Sequence, residues 1–227
     1  MKSYTNRLFA ASFALILSGA LGWQNCAANE AVTSWTGGSS SLYLGMTNTT
    51  FGYDFTVGSQ DISVSSLGIW VSPVSGQLNY SHEVGLWDLS QNLLRSTTIG
   101  SGIPLSLSPS GFWYEPVAPI TLSANTTYVL GAKYPLFAMD IDWGTRGAVA
   151  TPGAGITLGD GRFSSAGFSP FVTSATFPEA INTWANDGYY GPNMEYSIVP
   201  EPASSALLGL AMLALACFRR NRASHDC

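Results

Sequence analysis

The sequence predicts an all-β protein, an antiparallel β-sandwich of the jelly-roll or immunoglobulin-like kind, placed between two targeting segments. Three observations lead to this prediction. Short runs alternate apolar and polar residues, turn-forming residues separate these runs, and no stretch between residues 30 and 198 repeats apolar residues at a helical period. Alternation at a period of two is typical of strands with one buried face, and many short strands separated by turns favour a sandwich.

The first 28 residues have the organisation of a secretory signal peptide. Lys2 and Arg7 precede an apolar run over residues 8–21, and small residues up to Ala28 offer a cleavage site. A positive start, an apolar centre and a small-residue end are the features of such a signal. We expect cleavage after Ala28. Residues 29–49 precede the domain as a lead-in segment, which could include a first strand and contains a glycine-serine stretch at residues 36–41.

The predicted sandwich domain covers residues 50–198. Its strands are expected at residues 51–57, 61–72, 84–88, 93–99, 112–122, 126–134 and 193–199. Residues 89–92 join the third and fourth strands in a hairpin, because serine and asparagine favour turns. Pro116 and Pro119 predict a sheet edge for residues 112–122, since proline cannot donate a ladder hydrogen bond. Residues 140–192, rich in glycine, proline and aromatic residues, are expected to form long loops with one or two short strands.

Charge and cysteine content exclude several function classes. Residues 29–199 carry four bases and twelve acids, a net charge of −8. Such a surface repels phosphate backbones, so nucleic-acid binding is not expected. The three cysteines, Cys26, Cys217 and Cys227, all lie in the end segments. The domain therefore has neither a disulfide nor a thiolate metal site.

The C-terminal segment, residues 199–227, combines a polar turn, an apolar run and a positive end. Pro200, Glu201 and Pro202 come first, the uncharged run 203–218 follows, and arginines close it at Arg219, Arg220 and Arg222. A helix over this run is about 24 Å long, slightly short of a hydrocarbon core of roughly 30 Å, and arginines can reach the interface. Arginines after a membrane span stay in the cytoplasm, so the rest of the chain is expected on the outer side of the inner membrane.

This three-part tail resembles the C-terminal sorting signal of bacterial PEP-CTERM proteins. The resemblance implies that exosortase, a membrane protease-transpeptidase, recognises the Pro-Glu-Pro motif and removes the tail. The two prolines also favour an extended, accessible Glu201. The implied route is export across the inner membrane, a transient anchor with the domain in the periplasm, and final delivery to the cell surface or the extracellular space.

The middle of the chain resembles an uncharacterised family of bacterial β-sandwich domains, known as domain of unknown function 4082. Residues 83–88, 112–113 and 124–129 carry the resemblance, which extends over residues 50–198. Asn125 replaces the family's usual glycine, and a Gly-His segment expected after Tyr134 is absent. The resemblance implies the sandwich fold and supplies no activity.

Few residues suit catalysis or metal binding. A Ser-His-Asp hydrolase would need His82, the only histidine outside the two ends, but no Gly-x-Ser-x-Gly motif accompanies it. We interpret His82 as a solvated residue at a strand end. On a strand, Asp140 and Asp142 would point to one face, and with Asp160 they offer oxygen ligands to calcium. The alternative is that all three are ordinary surface acids, and no other cofactor is expected.

Aromatic residues divide into expected core residues and candidate sugar platforms. Trp70, Trp87 and Trp113 lie in predicted strands, where tryptophan packs in the core. The candidates for stacking on sugar rings lie in predicted loops and are Trp143, Trp184, Tyr189 and Tyr190.

These observations predict an exported, non-enzymatic protein of a Gram-negative bacterium with a structural or adhesive role in the exopolysaccharide or biofilm matrix. One alternative is a carbohydrate-binding module that uses the loop aromatics, and another is a secreted hydrolase. The expected partners are exosortase, the inner membrane and exopolysaccharide.

Overall fold

The computed structural model describes residues 28–37, 49–134, 148–164, 177–181 and 188–200. These residues form twelve β-strands and no helix. The strands are β1 (Asn29–Glu30), β2 (Val32–Thr36), β3 (Thr49–Val57), β4 (Ile62–Trp70), β5 (His82–Asp88), β6 (Leu93–Ile99), β7 (Phe112–Leu122), β8 (Thr127–Tyr134), β9 (Val149–Pro152), β10 (Ile156–Phe163), β11 (Ala180–Ile181) and β12 (Pro192–Ile198).

The two predicted targeting segments, residues 1–28 and the helix over residues 203–218, fall outside the described residues apart from Ala28. Within the part of the chain that the structure describes, no helix is long and apolar enough to span a bilayer.

The strands form two larger sheets and one small sheet. The six-stranded sheet has the order β11-β10-β3-β8-β5-β6, the four-stranded sheet has the order β1-β12-β4-β7, and β2 pairs with β9. Every pairing is antiparallel. The prediction of an all-β, antiparallel fold is therefore confirmed.

One hydrophobic core joins the two larger sheets. Phe51, Tyr53 and Phe55 of β3 are almost fully buried, as are Leu67 of β4 and Met194 of β12, and all belong to one cluster. Full burial of such a side chain stabilises the fold by about 1.5–3 kcal/mol. Two antiparallel sheets around a shared core are consistent with the predicted sandwich.

The strand predictions for residues 51–134 agree closely with the structure. β5 and β6 form the expected hairpin, in which Asp88 Oδ1 accepts a hydrogen bond from the Asn92 N–H at 2.9 Å. β7 lies at the end of the four-stranded order, as Pro116 and Pro119 predict. Of the three strand tryptophans, Trp87 is 3% exposed, whereas the other two are partly buried against the core.

The expectation of long loops with only short strands over residues 140–192 is wrong for β10. This strand is eight residues long and lies between β11 and β3. A register shift between Leu158 and Gly161 interrupts its alternation, so the apolar pattern is hard to see in the sequence. A Cβ atom on Gly159 would lie 1.7 Å from Asp54 Oδ1. The bulge therefore needs a glycine where a strand pattern would have a side chain.

Candidate functional site

The strands β1–β12 form the β body of the protein, and in the sequence the C-terminal segment 199–227 follows directly after β12. The Val199 N–H donates a hydrogen bond to the Asp61 carbonyl at 2.8 Å, and Pro200 is exposed. The Pro-Glu-Pro motif therefore begins at the residue directly after Val199, which is bonded to the body. Its other members, Glu201 and Pro202, lie outside the described residues, as do the arginines Arg219, Arg220 and Arg222.

Hydrogen bonds between turns hold the end of the body where the tail departs. Asp61 Oδ1 accepts the Ala124 N–H at 2.8 Å, and the Gly58 carbonyl accepts the Asn125 N–H at 2.8 Å. The Gly58 N–H donates in turn to the Gly155 carbonyl at 2.8 Å. Asn125 has a φ of 54°, a backbone conformation that asparagine tolerates better than most residues. Val199 thus lies at a cross-linked end of the β body.

The three bases within the described residues are used for internal contacts. Arg95 donates to backbone carbonyl groups, two of them on β7 at 2.8 and 3.2 Å. Arg162 pairs with Asp54 at 2.7 Å, and both side chains are 12% exposed. Lys133 is 8% exposed, and burial lowers its pKa although the nearby Glu83 opposes that shift. None of these three cations is presented openly to an anionic partner.

The four predicted sugar-stacking residues are not brought together in the described part of the protein. Trp143 and Trp184 lie outside it. The ring of Tyr189 is tilted against Phe51 with centroids 4.9 Å apart. Tyr190 is only 7% exposed and packs against the ring of Tyr53, with centroids 5.5 Å apart. In this fold Tyr190 therefore has no free face for a sugar.

The calcium prediction is only partly covered by the described residues. Asp140 and Asp142 lie outside them. Asp160 lies exposed on β10, where its backbone N–H donates to Asp54 Oδ1 at 2.8 Å. No group of three or more potential metal ligands occurs among the residues that the structure describes. Calcium binding stays a prediction.

The interpretation of His82 as a solvated residue is wrong. His82 begins β5 but is fully buried, and its Nδ1 atom lies 3.0 Å from the Lys133 carbonyl oxygen. Its ring also meets Tyr134 edge-on with centroids 4.9 Å apart. The burial arises because β5 lies inside the six-stranded sheet, between β8 and β6.

A pocket of about 520 Å³ lies beside the edge strand β7, a volume typical of small-molecule sites. Residues from β7, β12 and the segment before β7 form its walls. They are Leu105, Ser106, Leu107, Ser108, Phe112, Trp113, Tyr114, Glu115 and Glu195.

The aromatic wall depends on a glycine in the neighbouring strand. Tyr114 is directly opposite Gly68, and a Cβ atom on that glycine would lie 2.3 Å from Tyr114 Cδ1. Only a glycine therefore lets the tyrosine ring lie across β4 at this point. Phe112 packs beside Tyr114, with ring centroids 6.0 Å apart. Trp113 donates its indole N–H to Glu115 Oε1 at 3.2 Å.

Carboxylates accumulate at the pocket. Glu115 and Glu195 line it, and Glu30 of β1 is directly opposite Glu195 of β12. Directly opposite residues of an antiparallel pair share one face of the sheet, and like charges in that arrangement destabilise the fold. Glu30 Oε2 is also buried without a hydrogen-bond partner.

The hydroxyl group of Tyr114 lies in the same acidic surroundings. It is buried, and its nearest hydrogen-bonding group is the side chain of Asn193. Burial raises the pKa of Tyr114 well above its usual value, and the charges of Glu30 and Glu195 raise it further. The phenol therefore stays neutral and keeps a proton to donate. Sequence reasoning missed this pocket because its residues come from distant strands, although the run from Phe112 to Glu115 was a visible signal.

The comparison with protein families identifies the tail. Residues 199–221 match the family model described as the PEP-CTERM protein-sorting motif. No curated protein and no solved structure matches the chain. The motif supports an exported protein that is sorted and processed by exosortase, with a membrane-anchored C-terminal tail before processing. This match does not extend to the β body, and the resemblance to domain of unknown function 4082 is not shown.

Proposed function

We propose that this chain is a non-enzymatic component of the cell surface or extracellular matrix of a Gram-negative bacterium, with a structural or adhesive role among exopolysaccharides. The observation that carries the proposal is the sorting tail, which follows an antiparallel β body without a spacer. Removal of such a tail releases a folded body outside the inner membrane. An exported β body whose sequence has no cysteine between residues 29 and 199 suits a passive, binding role.

The distribution of charge supports a partner that is not a polyanion. Arg95, Lys133 and Arg162 are committed to internal contacts, whereas the chain as a whole carries a formal net charge of −5. Polyanions would be repelled by such a body at low ionic strength. The favoured partners are therefore neutral or cationic polymers.

The burial of His82 favours a non-enzymatic protein over a hydrolase that uses this histidine. A histidine that serves as general base needs access to the nucleophile and the substrate. His82 is fully buried, and Nδ1 is within hydrogen-bond distance of the Lys133 carbonyl. The hydrolase alternative is tested by assaying glycosidase, esterase and peptidase substrates with the native protein and its His82→Ala and Asp142→Asn variants. Activity that either variant abolishes without unfolding would contradict the non-enzymatic proposal.

The proposal is tested by following the protein in its native host. Glu201→Ala is expected to block processing and to leave the protein in the inner-membrane fraction. The Ser204→Ala variant, altered in the tail but outside the Pro-Glu-Pro motif, should behave like the native protein and enrich in the exopolysaccharide fraction. Deletion of the gene should weaken the cohesion of the matrix. Native protein that is processed but recovered free in the medium, with unchanged matrix cohesion, would contradict the proposed role.

The carbohydrate-binding alternative has a specific structural observation in its favour, the pocket beside β7. The loop platform predicted from the sequence is tested separately with Trp143→Ala and Trp184→Ala, by tryptophan fluorescence during titration with glycans. A spectral response that both variants lose would support stacking by the loops. An unchanged response would direct attention to the pocket.

A further inference from the structure

Glu195, which lines the pocket, and Glu30 on the neighbouring strand are placed where their charges repel each other. Glu30 and Glu195 are directly opposite on the neighbouring strands β1 and β12. None of the bases within the described residues lies there to compensate them, since Arg95, Arg162 and Lys133 make contacts elsewhere. An arrangement that costs stability in the free protein is common at binding sites, where a ligand supplies the missing interaction.

The missing interaction at this pocket is positive charge with hydrogen-bond donors. Glu115 and Glu195 line the pocket, and Glu30, directly opposite Glu195 on β1, has a buried Oε2 atom without a partner. An ammonium group offers a positive charge and three donors, and carboxylates bind such groups through charge-assisted hydrogen bonds. The aromatic residues Trp113 and Tyr114 add to the attraction, since aromatic faces favour cations.

The size and lining of the pocket indicate an organic cation that carries hydroxyl groups. A volume of about 520 Å³ is far larger than a single metal ion requires. Ser106 and Ser108 contribute hydroxyl-bearing residues to the walls, together with the aromatic residues of β7. Aromatic surface together with small polar groups is what a sugar ring needs, because a sugar has apolar faces and a polar edge.

We propose that the pocket formed by β7, β12 and residues 105–108 binds an amino sugar, as a unit of a cationic polysaccharide. Glu195 holds the ammonium group, Tyr114 on the same face of the four-stranded sheet contacts the ring, and Glu115 and Trp113 line the same pocket. The inference rests on the proposed function in one respect, namely that the surrounding matrix supplies the polysaccharide.

The test uses the full-length protein in a detergent with polyethylene-glycol headgroups, so that no detergent sugar competes. Four probes are titrated at mildly acidic pH by calorimetry and tryptophan fluorescence: a glucosamine hexamer, its N-acetylated counterpart, a galacturonic acid hexamer and calcium chloride. The glucosamine hexamer is expected to bind most tightly. The acetylated hexamer should bind more weakly because acetylation removes its charge, and added salt should weaken glucosamine binding.

Matched variants separate the pocket from general surface charge. Glu195→Gln should weaken glucosamine binding about ten-fold, equivalent to about 1.4 kcal/mol, because it removes a charge-assisted hydrogen bond. Asp160→Asn removes the same charge from an exposed position on the other large sheet and should leave binding unchanged. Glu115→Gln provides a second pocket variant, and near-ultraviolet circular dichroism verifies the fold of each.

Several results would overturn the proposal. They are equal binding of the charged and acetylated hexamers, preference for galacturonic acid, a response to calcium alone, or equal effects of Glu195→Gln and Asp160→Asn. Absence of hexamer binding by a protein that still enriches in the exopolysaccharide fraction would refute the pocket and leave the proposed function intact. Hexamer binding by a protein that never reaches that fraction would refute the proposed function instead.

Discussion

Replacing Glu30 by glutamine is expected to stabilise the folded protein. Glutamine has nearly the shape of glutamate, so the change removes a charge and little else. It ends the repulsion with the directly opposed Glu195 and replaces a buried carboxylate oxygen that has no partner. The new amide group can also donate hydrogen bonds, which a carboxylate cannot.

The size of the gain follows from these two effects. Like charges directly opposite on neighbouring strands cost roughly 0.2–1 kcal/mol. An unpartnered buried polar atom costs about 1–3 kcal/mol, and we take the lower end because Glu30 is only partly buried. A gain of about 1 kcal/mol should raise the midpoint of thermal unfolding by roughly 2–4 °C in a domain of this size.

Thermal unfolding followed by near-ultraviolet circular dichroism measures the effect. The control is Glu115→Gln, because Glu115 Oε1 already accepts the Trp113 indole N–H and gains nothing from an amide. The difference between native protein and Glu30→Gln should shrink in high salt, which screens the repulsion. A lower or unchanged midpoint for Glu30→Gln, or an equal gain for Glu115→Gln, would refute the reasoning.

Three further predictions concern the β body. Asp54→Asn leaves the largely buried Arg162 without its ionic partner. The free energy of unfolding, measured in urea, should fall by about 2–4 kcal/mol, and a fall below about 1 kcal/mol would contradict this prediction. Burial raises the pKa of Tyr196 from its usual value of 10.0 to about 12. The neutral phenol therefore stabilises the fold fully below pH 10.0, and this stabilisation is lost as the pH rises through about 12. Urea midpoints across this range should fall, and constant midpoints would argue against its burial. Gly52→Ala places a Cβ atom 1.8 Å from a backbone oxygen of β8 and should destabilise the protein by more than about 2 kcal/mol, whereas Gly100→Ala, with no atom within 4 Å, should be close to neutral.

The sequence predicts those parts of the fold that depend on local chemistry. Phe51, Tyr53 and Phe55 alternate with small or polar residues because one face of β3 lies in the core, and this alternation is visible without a structure. Pro116 and Pro119 identify β7 as an edge strand, because they lack the N–H that an inner strand must donate. The tail is equally visible, since its three parts are adjacent in the chain.

Features that depend on distant partners could not be predicted in this way. β10 was missed because a bulge at Gly159 accommodates Asp54 of another strand. The burial of His82 could not be predicted because it results from packing against β8, where the ring of His82 contacts Tyr134. The pocket could not be predicted for the same reason, since its lining residues Glu115 and Glu195 belong to strands β7 and β12, which are far apart in the sequence.

Intact-mass spectrometry of the protein recovered from its native host tests the central claim most directly. We expect an extracytoplasmic species that begins after Ala28 and has lost the residues beyond the Pro-Glu-Pro motif, with the mass of any attached group added. A soluble cytosolic species with the mass of all 227 residues would contradict it.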